Sequence, residues 1–206
     1  DLGALSRSYS KRVILVTGAG GSIGSELCRQ LMRFEPSLMV LIDSSEYALY
    51  RLTEEFARAH PASRVVPIVG DVRNSWRMDR VLAEYRPAVI FHAAAYKHVP
   101  LMEDHNTWEA IRNNSYGTYV MGNAAIRHDV ERFVLISTDK AVNPTNVMGA
   151  SKRLAELVCH CLNSQGKTQF EMVRFGNVLG SSGSVIPKFQ AQIASGGPIT
   201  VTHPDV

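Results

Sequence analysis

Residues 12–29 read R-V-I-L-V-T-G-A-G-G-S-I-G-S-E-L-C-R, and this stretch decides the fold. Its first part, 13–16, is a continuous apolar run rich in β-branched residues, which is typical of a parallel strand buried on both faces. Glycines follow at positions 18, 20, 21 and 24, and from Ser22 onward apolar residues recur at helical spacing. The stretch therefore predicts a strand, a glycine-rich turn and a helix.

The predicted turn has the features of a diphosphate-binding loop. Glycine carries no Cβ, so the backbone can approach a ligand closely. The first turn of the helix offers free N–H groups and the positive end of the helix dipole. A tight turn without a ligand is the structural alternative. The positions expected to contact a diphosphate are Gly18, Gly21, Ser22, Ile23 and Gly24.

Asp43 supports a dinucleotide site. It ends the second predicted strand, 38–42, and follows Gly24 by nineteen positions. A carboxylate at this place accepts hydrogen bonds from the ribose hydroxyls of NAD, and a solvated aspartate is the alternative. Because no arginine follows among the next three residues, the pattern predicts NAD rather than NADP.

The composition indicates one large domain, or one domain with part of a second. The 206 residues are 45% hydrophobic, and 22 Lys and Arg against 19 Asp and Glu give a net charge of +3. The basic residues are scattered, so no nucleic-acid-binding patch is indicated. The three cysteines lack metal-ligand spacing and indicate free thiols in a reducing compartment, with no metal site. No apolar run reaches the roughly 18 residues of a membrane span.

Strand and helix patterns alternate along most of the chain. Residues 1–11 are polar and are expected to form an irregular arm or linker. Residues 12–175 predict an α/β domain, a doubly wound parallel sheet with helices on both faces, and one long helix at 106–128. The alternation ends at 176–206, which we interpret as the start of a truncated substrate-binding part with a short strand near 199–202. Since the first residue is not Met, we expect a segment of a longer protein.

Ligands of doubly wound sheets bind at the carboxyl ends of the strands, so the residues after each strand are the candidates. After strand three, Asp71 and Val72 are placed to contact an adenine, although Asp71 or Asn74 could instead cap the next helix. After strand four, Lys97 stands on a loop that would face a substrate. Three small residues precede it and would let a flat cofactor lie against the backbone, unless they serve only tight packing: Ala93, Ala94 and Ala95.

After strand five the sequence reads S-T-D-K-A-V-N-P, and a helix follows with Met148 and Lys152 four residues apart on one face. Together with the glycine spacing at 18–24 and Asn114 three residues before Gly117, this pattern resembles the extended branch of the short-chain dehydrogenase/reductase superfamily. The resemblance implies that the asparagine shapes the site through backbone and water contacts. It also places a tyrosine at position 148, and a thioether cannot exchange a proton. Met148 is therefore interpreted as a packing residue beside the nicotinamide.

Met in place of Tyr, combined with S-T-D-K-A-V-N-P before it and R-F-G-N-V-L-G-S-S-G-S-V-I-P at 174–187, resembles a narrower group. These are the nucleotide-sugar 4,6-dehydratases of bacterial surface-polysaccharide biosynthesis, in particular the large membrane-anchored forms. The resemblance extends from Lys11 to Val206. It implies tightly bound NAD and a UDP-sugar substrate, UDP-N-acetylglucosamine or a close relative, which is converted to a 4-keto-6-deoxy sugar.

The same resemblance implies roles for five residues. Asp139 would be the acid and Lys140 the base, with the reverse assignment open, and a loop salt bridge is the structural alternative. As acid, Asp139 must hold a proton, which an apolar pocket would favour. Thr138 would bind the C4 oxygen, Lys152 would orient the nicotinamide ribose, and Asn177 would contact the sugar nucleotide.

Two other functions stay open at this point. A nucleotide-sugar 4-epimerase of the same superfamily needs no Asp–Lys pair and normally keeps its tyrosine. A non-catalytic nucleotide-binding module is compatible with a methionine at position 148. The resemblance further implies a cytoplasmic domain at the inner face of a bacterial membrane, anchored by a segment outside this sequence. A homo-oligomer is one option for its assembly.

Overall fold

The computed structural model of the chain describes residues 2–178 and 185–201. Within these ranges, six parallel strands form one sheet in the order β3-β2-β1-β4-β5-β6. The order reverses between β1 and β4, and this switch point is where doubly wound sheets bind ligands. The predicted fold class is therefore confirmed. The strands are β1 (Val13–Thr17), β2 (Leu38–Asp43), β3 (Val65–Val69), β4 (Val89–His92), β5 (Arg132–Thr138) and β6 (Gln169–Phe175).

Helices connect the strands and cover both faces of the sheet. A π-helical stretch at Ile111–Tyr116 and a 3-10 turn at Asp139–Ala141 interrupt the regular pattern. The α-helices are α1 (Leu2–Tyr9), α2 (Ser22–Met32), α3 (Glu46–Ala59), α4 (Ser75–Tyr85), α5 (Val99–Glu103), α6 (Thr107–Ala110), α7 (Gly117–Arg127), α8 (Val147–Leu162) and α9 (Val185–Ala194). None of them, in the part of the chain that the structure describes, is long and apolar enough to cross a membrane.

Two cores lie on opposite faces of the sheet, because neighbouring side chains of a strand point to opposite sides. On β1, Leu15 belongs to one core, while Ile14 and Val16 belong to the other. The Leu15 side packs against α4, α7 and α8, and the opposite side packs against α2 and α3. Both faces are covered around the central strands β1, β2 and β4, which explains why these strands are continuous apolar runs. All three cysteines are free thiols.

The prediction of an irregular segment at 1–11 is wrong, because Leu2–Tyr9 forms α1. The Tyr9 ring holds this helix against the domain, with centroids 5.9 Å from Phe34 and 5.8 Å from Phe91. A single aromatic residue at the end of a short polar segment leaves little periodic signal in the sequence. The helix is therefore a consequence of packing against the core.

Two further element predictions need correction. The long helix expected at 106–128 is divided by the π-helical stretch between α6 and α7. The short strand expected near 199–202 is absent from 199–201, and residue 202 lies outside the described residues. Residues 179–184 of the C-terminal motif also lie outside them. The predicted boundary at residue 175 stays a prediction.

Candidate functional site

The glycine turn is pressed against the end of β4. Gly18 has a φ of +64°, and a Cβ at this position would lie 2.6 Å from the backbone nitrogen of Ala94. A Cβ at Gly24 would lie 2.0 Å from the carbonyl oxygen of Gly18. Real Cβ atoms do not approach backbone this closely, so both positions need glycine. The turn and the alanines after β4 thus form one wall of the switch-point cleft.

Asp43 ties this turn to the start of α3. One carboxylate oxygen accepts the N–H of Gly20 at 2.9 Å, and the other accepts the N–H of Ser45 at 2.9 Å. The carboxylate is half-buried at the carboxyl end of β2, one strand away from the glycine turn. It therefore lies at the side of the cleft where the sequence predicted contact with a ribose.

The cleft at the switch point has a volume of about 340 Å³. Its lining includes eight of the predicted cofactor-binding residues: Gly18, Gly21, Asp43, Asp71, Val72, Ala93, Ala94 and Ala95. Residues 22–24 form the start of α2 directly after the turn, and Asn114 lies behind the lining. A more open cleft of about 580 Å³ lies at the amino ends of β5 and β6 and contains none of the predicted site residues. The switch-point cleft is therefore the candidate site.

Asp71 is paired with an arginine that the sequence interpretation missed. The Asp71 carboxylate accepts hydrogen bonds from the backbone N–H of Arg73 at 2.8 Å and from the Arg73 guanidinium at 2.6 Å. These bonds lower the pKa of the Asp71 carboxyl. The same guanidinium donates to Glu109 of α6 at 2.7 Å. Asn74, not Asp71, caps α4, since its side chain accepts the N–H of Arg77. Contact of Asp71 and Val72 with an adenine stays a prediction.

Asn114 holds two segments of the site together. Its side-chain oxygen accepts the N–H of Tyr96 at 2.8 Å, and its NH₂ group donates to the carbonyl of Tyr96 at 3.0 Å and to the hydroxyl of Ser151 at 2.9 Å. The π-helical stretch turns three consecutive polar residues, 113–115, into the interior. Such π-bulges are frequent at functional sites. Asn113 is buried and lines the cleft.

The residues after β5 and β6 form one hydrogen-bonded cluster. The Lys140 ammonium donates to the Asp139 carboxylate at 3.1 Å and to the side-chain oxygen of Asn177 at 3.1 Å. The Thr138 hydroxyl donates to the same carboxylate oxygen at 2.9 Å. A Cβ at Gly149 would lie 2.3 Å from the carbonyl oxygen of Lys140, so α8 begins in direct contact with the 3-10 turn. We refer to Thr138, Asp139, Lys140 and Asn177 as the strand-end cluster.

Asp139 does not lie in the apolar pocket that an acid role would favour. Its side chain is 54% exposed. Hydrogen bonds from Lys140 and then Thr138 lower the pKa of its carboxyl, so it is ionised near neutral pH. The sequence interpretation placed Asp139 and Lys140 side by side at this strand end but did not predict the ionised state of Asp139. Lys97 is exposed in the loop between β4 and α5.

Lys152 is a buried cation that lacks a hydrogen-bond partner among the described residues. Its side chain is 4% exposed, and burial lowers its pKa to about 8. Nε2 of His92 is also buried without a hydrogen-bond partner among the described residues, while its Nδ1 lies 2.8 Å from the Thr17 hydroxyl. Burial and then the Lys152 charge lower the pKa of His92 to about 3, so this histidine is neutral. Met148, one turn before Lys152, is buried with Met102 and Ala110.

These features fit a dinucleotide. An unpaired buried ammonium is costly, and the hydroxyls of a bound ribose would satisfy it. The glycine turn and Asp43 line the switch-point cleft, where the sequence predicted contact with the diphosphate and the ribose. In the described part of the chain, no group of three or more His, Cys, Asp or Glu residues could hold a metal ion.

Known proteins support this interpretation of the fold. The model of a family described as "Polysaccharide biosynthesis protein" matches residues 14–206. CapD, a capsular polysaccharide biosynthesis protein of Staphylococcus aureus, is 52% identical over 100% of this chain and 35% of its own length. An inverting UDP-N-acetylglucosamine 4,6-dehydratase of Campylobacter jejuni is 33% identical over 95% of this chain and 58% of its own length. A UDP-glucose 4-epimerase of Rickettsia rickettsii is 36% identical over 96% of this chain and 58% of its own length.

The solved structures agree with the sequence comparison. DesIV, a dTDP-glucose 4,6-dehydratase of Streptomyces venezuelae solved with NAD bound, superimposes with a TM-score of 0.78 at 25% identity, covering 90% of this chain and 63% of that chain. The chain thus spans less than two thirds of the length of these proteins. The chain belongs to the polysaccharide biosynthesis protein family, within the extended branch of the short-chain dehydrogenase/reductase superfamily.

Proposed function

We propose that the protein carrying this chain is an NAD-dependent nucleotide-sugar 4,6-dehydratase of bacterial polysaccharide biosynthesis, working in the cytoplasm on UDP-N-acetylglucosamine or a close relative. The observation that carries the proposal is the strand-end cluster, in which a carboxylate, an amine and a hydroxyl meet beside the helix that bears Lys152. Removal of water from C5 and C6 of a sugar needs an acid–base pair of this kind. Membrane anchoring and homo-oligomer formation stay predictions.

The residues that would hold NAD come from the lining of the switch-point cleft and from α8. The glycine turn and the start of α2 would bind the diphosphate, Asp43 would accept the adenosine ribose hydroxyls, and Lys152 would donate to the nicotinamide ribose. When bound, NAD⁺ would supply the hydride acceptor for sugar C4 and, reduced, the hydride donor for C6.

The hydrogen bonds of the strand-end cluster suggest how proton transfer proceeds without a tyrosine. The Thr138 hydroxyl donates to an ionised Asp139, so it can take the proton of the C4 hydroxyl as it passes its own proton to the carboxylate. Asp139 is then protonated and can deliver this proton to the departing C6 hydroxyl. A neutral Lys140 removes the C5 proton, which the 4-ketone has made acidic. This sequence keeps the acid and base roles implied by the resemblance.

The proton balance of this scheme closes. After elimination, Asp139 is a carboxylate and Lys140 is an ammonium. The structure has the pair in the same charge state at 3.1 Å, so Lys140 must release one proton to water before the first turnover. Return of the Lys140 proton to C5 restores a neutral amine beside the carboxylate for the next cycle. Asn177 accepts from Lys140 throughout and would keep the amine directed at the sugar.

The product mass tests the proposed reaction. UDP-N-acetylglucosamine incubated with the protein that carries this chain should lose one water molecule, as measured by mass spectrometry of the sugar nucleotide. The identity to a UDP-glucose 4-epimerase supports a second candidate function, 4-epimerisation. An isomer of unchanged mass would favour that function, and NAD binding without turnover would favour a non-catalytic module.

The cofactor preference can be measured directly. We expect NADP to bind at least about tenfold more weakly than NAD, because the Asp43 carboxylate would lie beside the additional phosphate and like charges repel. Calorimetry with both cofactors checks this. Asp43→Asn keeps one side-chain oxygen that can accept from the glycine turn but removes the charge. In this variant the difference in affinity between NAD and NADP should shrink. Equal affinities in the unmodified protein would contradict the role of Asp43.

Met148→Ala tests whether the thioether takes part in catalysis. Met148 lies in a small apolar cluster, so we expect a loss of about 2–3 kcal/mol in the free energy of unfolding. Because the thioether exchanges no proton, the loss in kcat should stay below the roughly hundredfold typical of a missing acid or base. Thermal melts and steady-state rates provide the two measurements. A variant as inactive as Asp139→Asn would show that Met148 has a chemical role.

A further inference from the structure

Glu156 is a buried carboxylate in the helix that carries Lys152. It is 2% exposed, yet both of its oxygens are fully engaged. One oxygen accepts the hydroxyl of Ser137 at 2.7 Å and Nε of Arg174 at 2.7 Å. The other accepts Nη2 of Arg174 at 2.5 Å and Nη1 of Arg153 at 3.0 Å. Buried carboxylates with this number of donors are held in one orientation.

The partners of Glu156 come from three separate elements of the site. Ser137 is the last buried residue of β5 and directly precedes the strand-end cluster. Arg174 lies near the end of β6, three residues before Asn177. Glu156 itself lies one helical turn after Lys152 on α8. One carboxylate therefore connects the two strands that supply the cluster with the helix that supplies the cofactor lysine.

Among the charged and titratable groups that face Lys152, Glu156 is the anion at neutral pH. The others are Cys159 of α8 and His92 of β4. Burial raises the pKa of Cys159 to about 12, so its thiol is neutral. His92 is neutral as well, because its pKa is lowered to about 3. Burial alone would raise the pKa of Glu156, but hydrogen bonds from Arg174, Ser137 and Arg153 outweigh it and lower the value to about 2.

We propose that Glu156 is a positioning residue that keeps Lys152 in its ammonium form and locks α8 to the strand ends that carry the catalytic cluster. Arg153 and Arg174 are partly exposed, so water screens their opposing charges, whereas Lys152 and Glu156 are both buried and lie four residues apart on one face of α8. The consequence for turnover depends on the proposed function, but the effect on Lys152 does not.

Two substitutions separate charge from position. Glu156→Gln keeps the length of the side chain and removes the charge. Glu156→Asp keeps the charge but is one methylene shorter and cannot reach Ser137 and Arg174 together. An ion pair of the same chemistry between α2 and α3 offers a matched control, because Arg29 contacts Glu55 at 2.6 and 2.9 Å on the other side of the sheet. Glu55→Gln removes that charge.

The first measurement is the titration of the Lys152 amine by nitrogen NMR, with the signal assigned by its loss in Lys152→Met. We expect Glu156→Gln to lower the titration midpoint by about one pH unit or more. Glu156→Asp should stay near the unmodified value, and Glu55→Gln should not change it. An unchanged midpoint in Glu156→Gln would refute the proposal. If this variant does not fold, the double variant Glu156→Gln/Arg174→Gln is titrated instead, because it leaves no arginine of β6 unpaired. A lowered Lys152 midpoint would again support the proposal, and an unchanged midpoint would refute it.

The second measurement is NAD affinity as a function of pH. The ammonium form of Lys152 donates to the ribose, so affinity should fall as pH rises through the Lys152 midpoint, and this fall should begin at lower pH in Glu156→Gln. In turnover, Glu156→Asp should lower kcat by about tenfold or more with a smaller change in KM, because the cluster is displaced. Unchanged kcat would refute the positioning role. A protein that forms no keto sugar would refute the proposed function instead, while the Lys152 titration still decides this inference.

Discussion

Asp139→Asn and Lys140→Met should each lower dehydration of the UDP-sugar by at least about a hundredfold. Asparagine cannot accept the proton that Thr138 passes on, and it cannot deliver a proton to the C6 hydroxyl. Methionine has no amine to remove the C5 proton. Both side chains keep the approximate size of the originals and lie in an exposed cluster, so the fold should be retained. The rate of water loss, followed by mass spectrometry, is the measurement.

Cofactor binding should separate these variants from unfolded protein. Neither residue lies in the glycine turn or lines the switch-point cleft, so NAD affinity should be nearly unchanged. Lys140→Met should still allow transfer of hydride from the sugar, visible as NADH absorbance without product, because the C4 proton passes through Thr138 and Asp139. Asp79→Asn is the matched control, since Asp79 forms an exposed ion pair with Arg127 between α4 and α7. Near-normal dehydration in either cluster variant would show that the acid or base is another residue.

Gly18→Ala should destabilise the protein by roughly 2–5 kcal/mol and strongly weaken NAD binding. The left-handed backbone at this position costs an alanine roughly 1–2 kcal/mol. The new Cβ would also lie 2.6–2.7 Å from backbone atoms of Ala93 and Ala94, and the shift needed to relieve this contact adds roughly 1–3 kcal/mol. The shift widens the turn that would bind the diphosphate. Denaturant unfolding and calorimetry with NAD measure the two effects.

Gly196→Ala is the matched control for backbone strain alone. Gly196 has a φ of +71°, close to that of Gly18, but nothing lies within 4 Å of an added Cβ. It should therefore cost only the roughly 1–2 kcal/mol of the left-handed conformation and leave NAD affinity unchanged. If the two variants are equally stable and bind NAD equally, the close approach of the turn to β4 has no functional consequence.

The sequence alone was sufficient to predict the features that depend on local pattern. The strand, the glycine turn and the helix at 12–29 follow from residue spacing. A strand buried on both faces requires consecutive apolar residues, and a backbone with positive φ favours glycine. The alternation of strands and helices then determines that all carboxyl ends lie at one edge of the sheet. This is why Asp43, the alanines after β4 and the strand-end cluster could be predicted as candidate site residues before any contact was known.

Other features depend on contacts between residues that are far apart in the chain. Glu156 meets Ser137 and Arg174 across nineteen and eighteen positions, and Asn114 meets Ser151 across thirty-seven. A glutamate in an amphipathic helix has the same local pattern whether it is solvated or buried. Its burial was decided by the packing of α8 between two strand ends.

The protonation states were decided in the same way. Asp139 is ionised because a neighbouring hydroxyl and amine donate to it, and Lys152 has a lowered pKa because it is enclosed, which no local pattern reveals. The π-helical stretch at Ile111–Tyr116, in which three consecutive polar residues are buried, likewise was not indicated by residue spacing. Residue order thus determined which groups reach the site, and tertiary packing decided their orientation and charge, because both depend on neighbours that only the folded chain brings within a few ångströms.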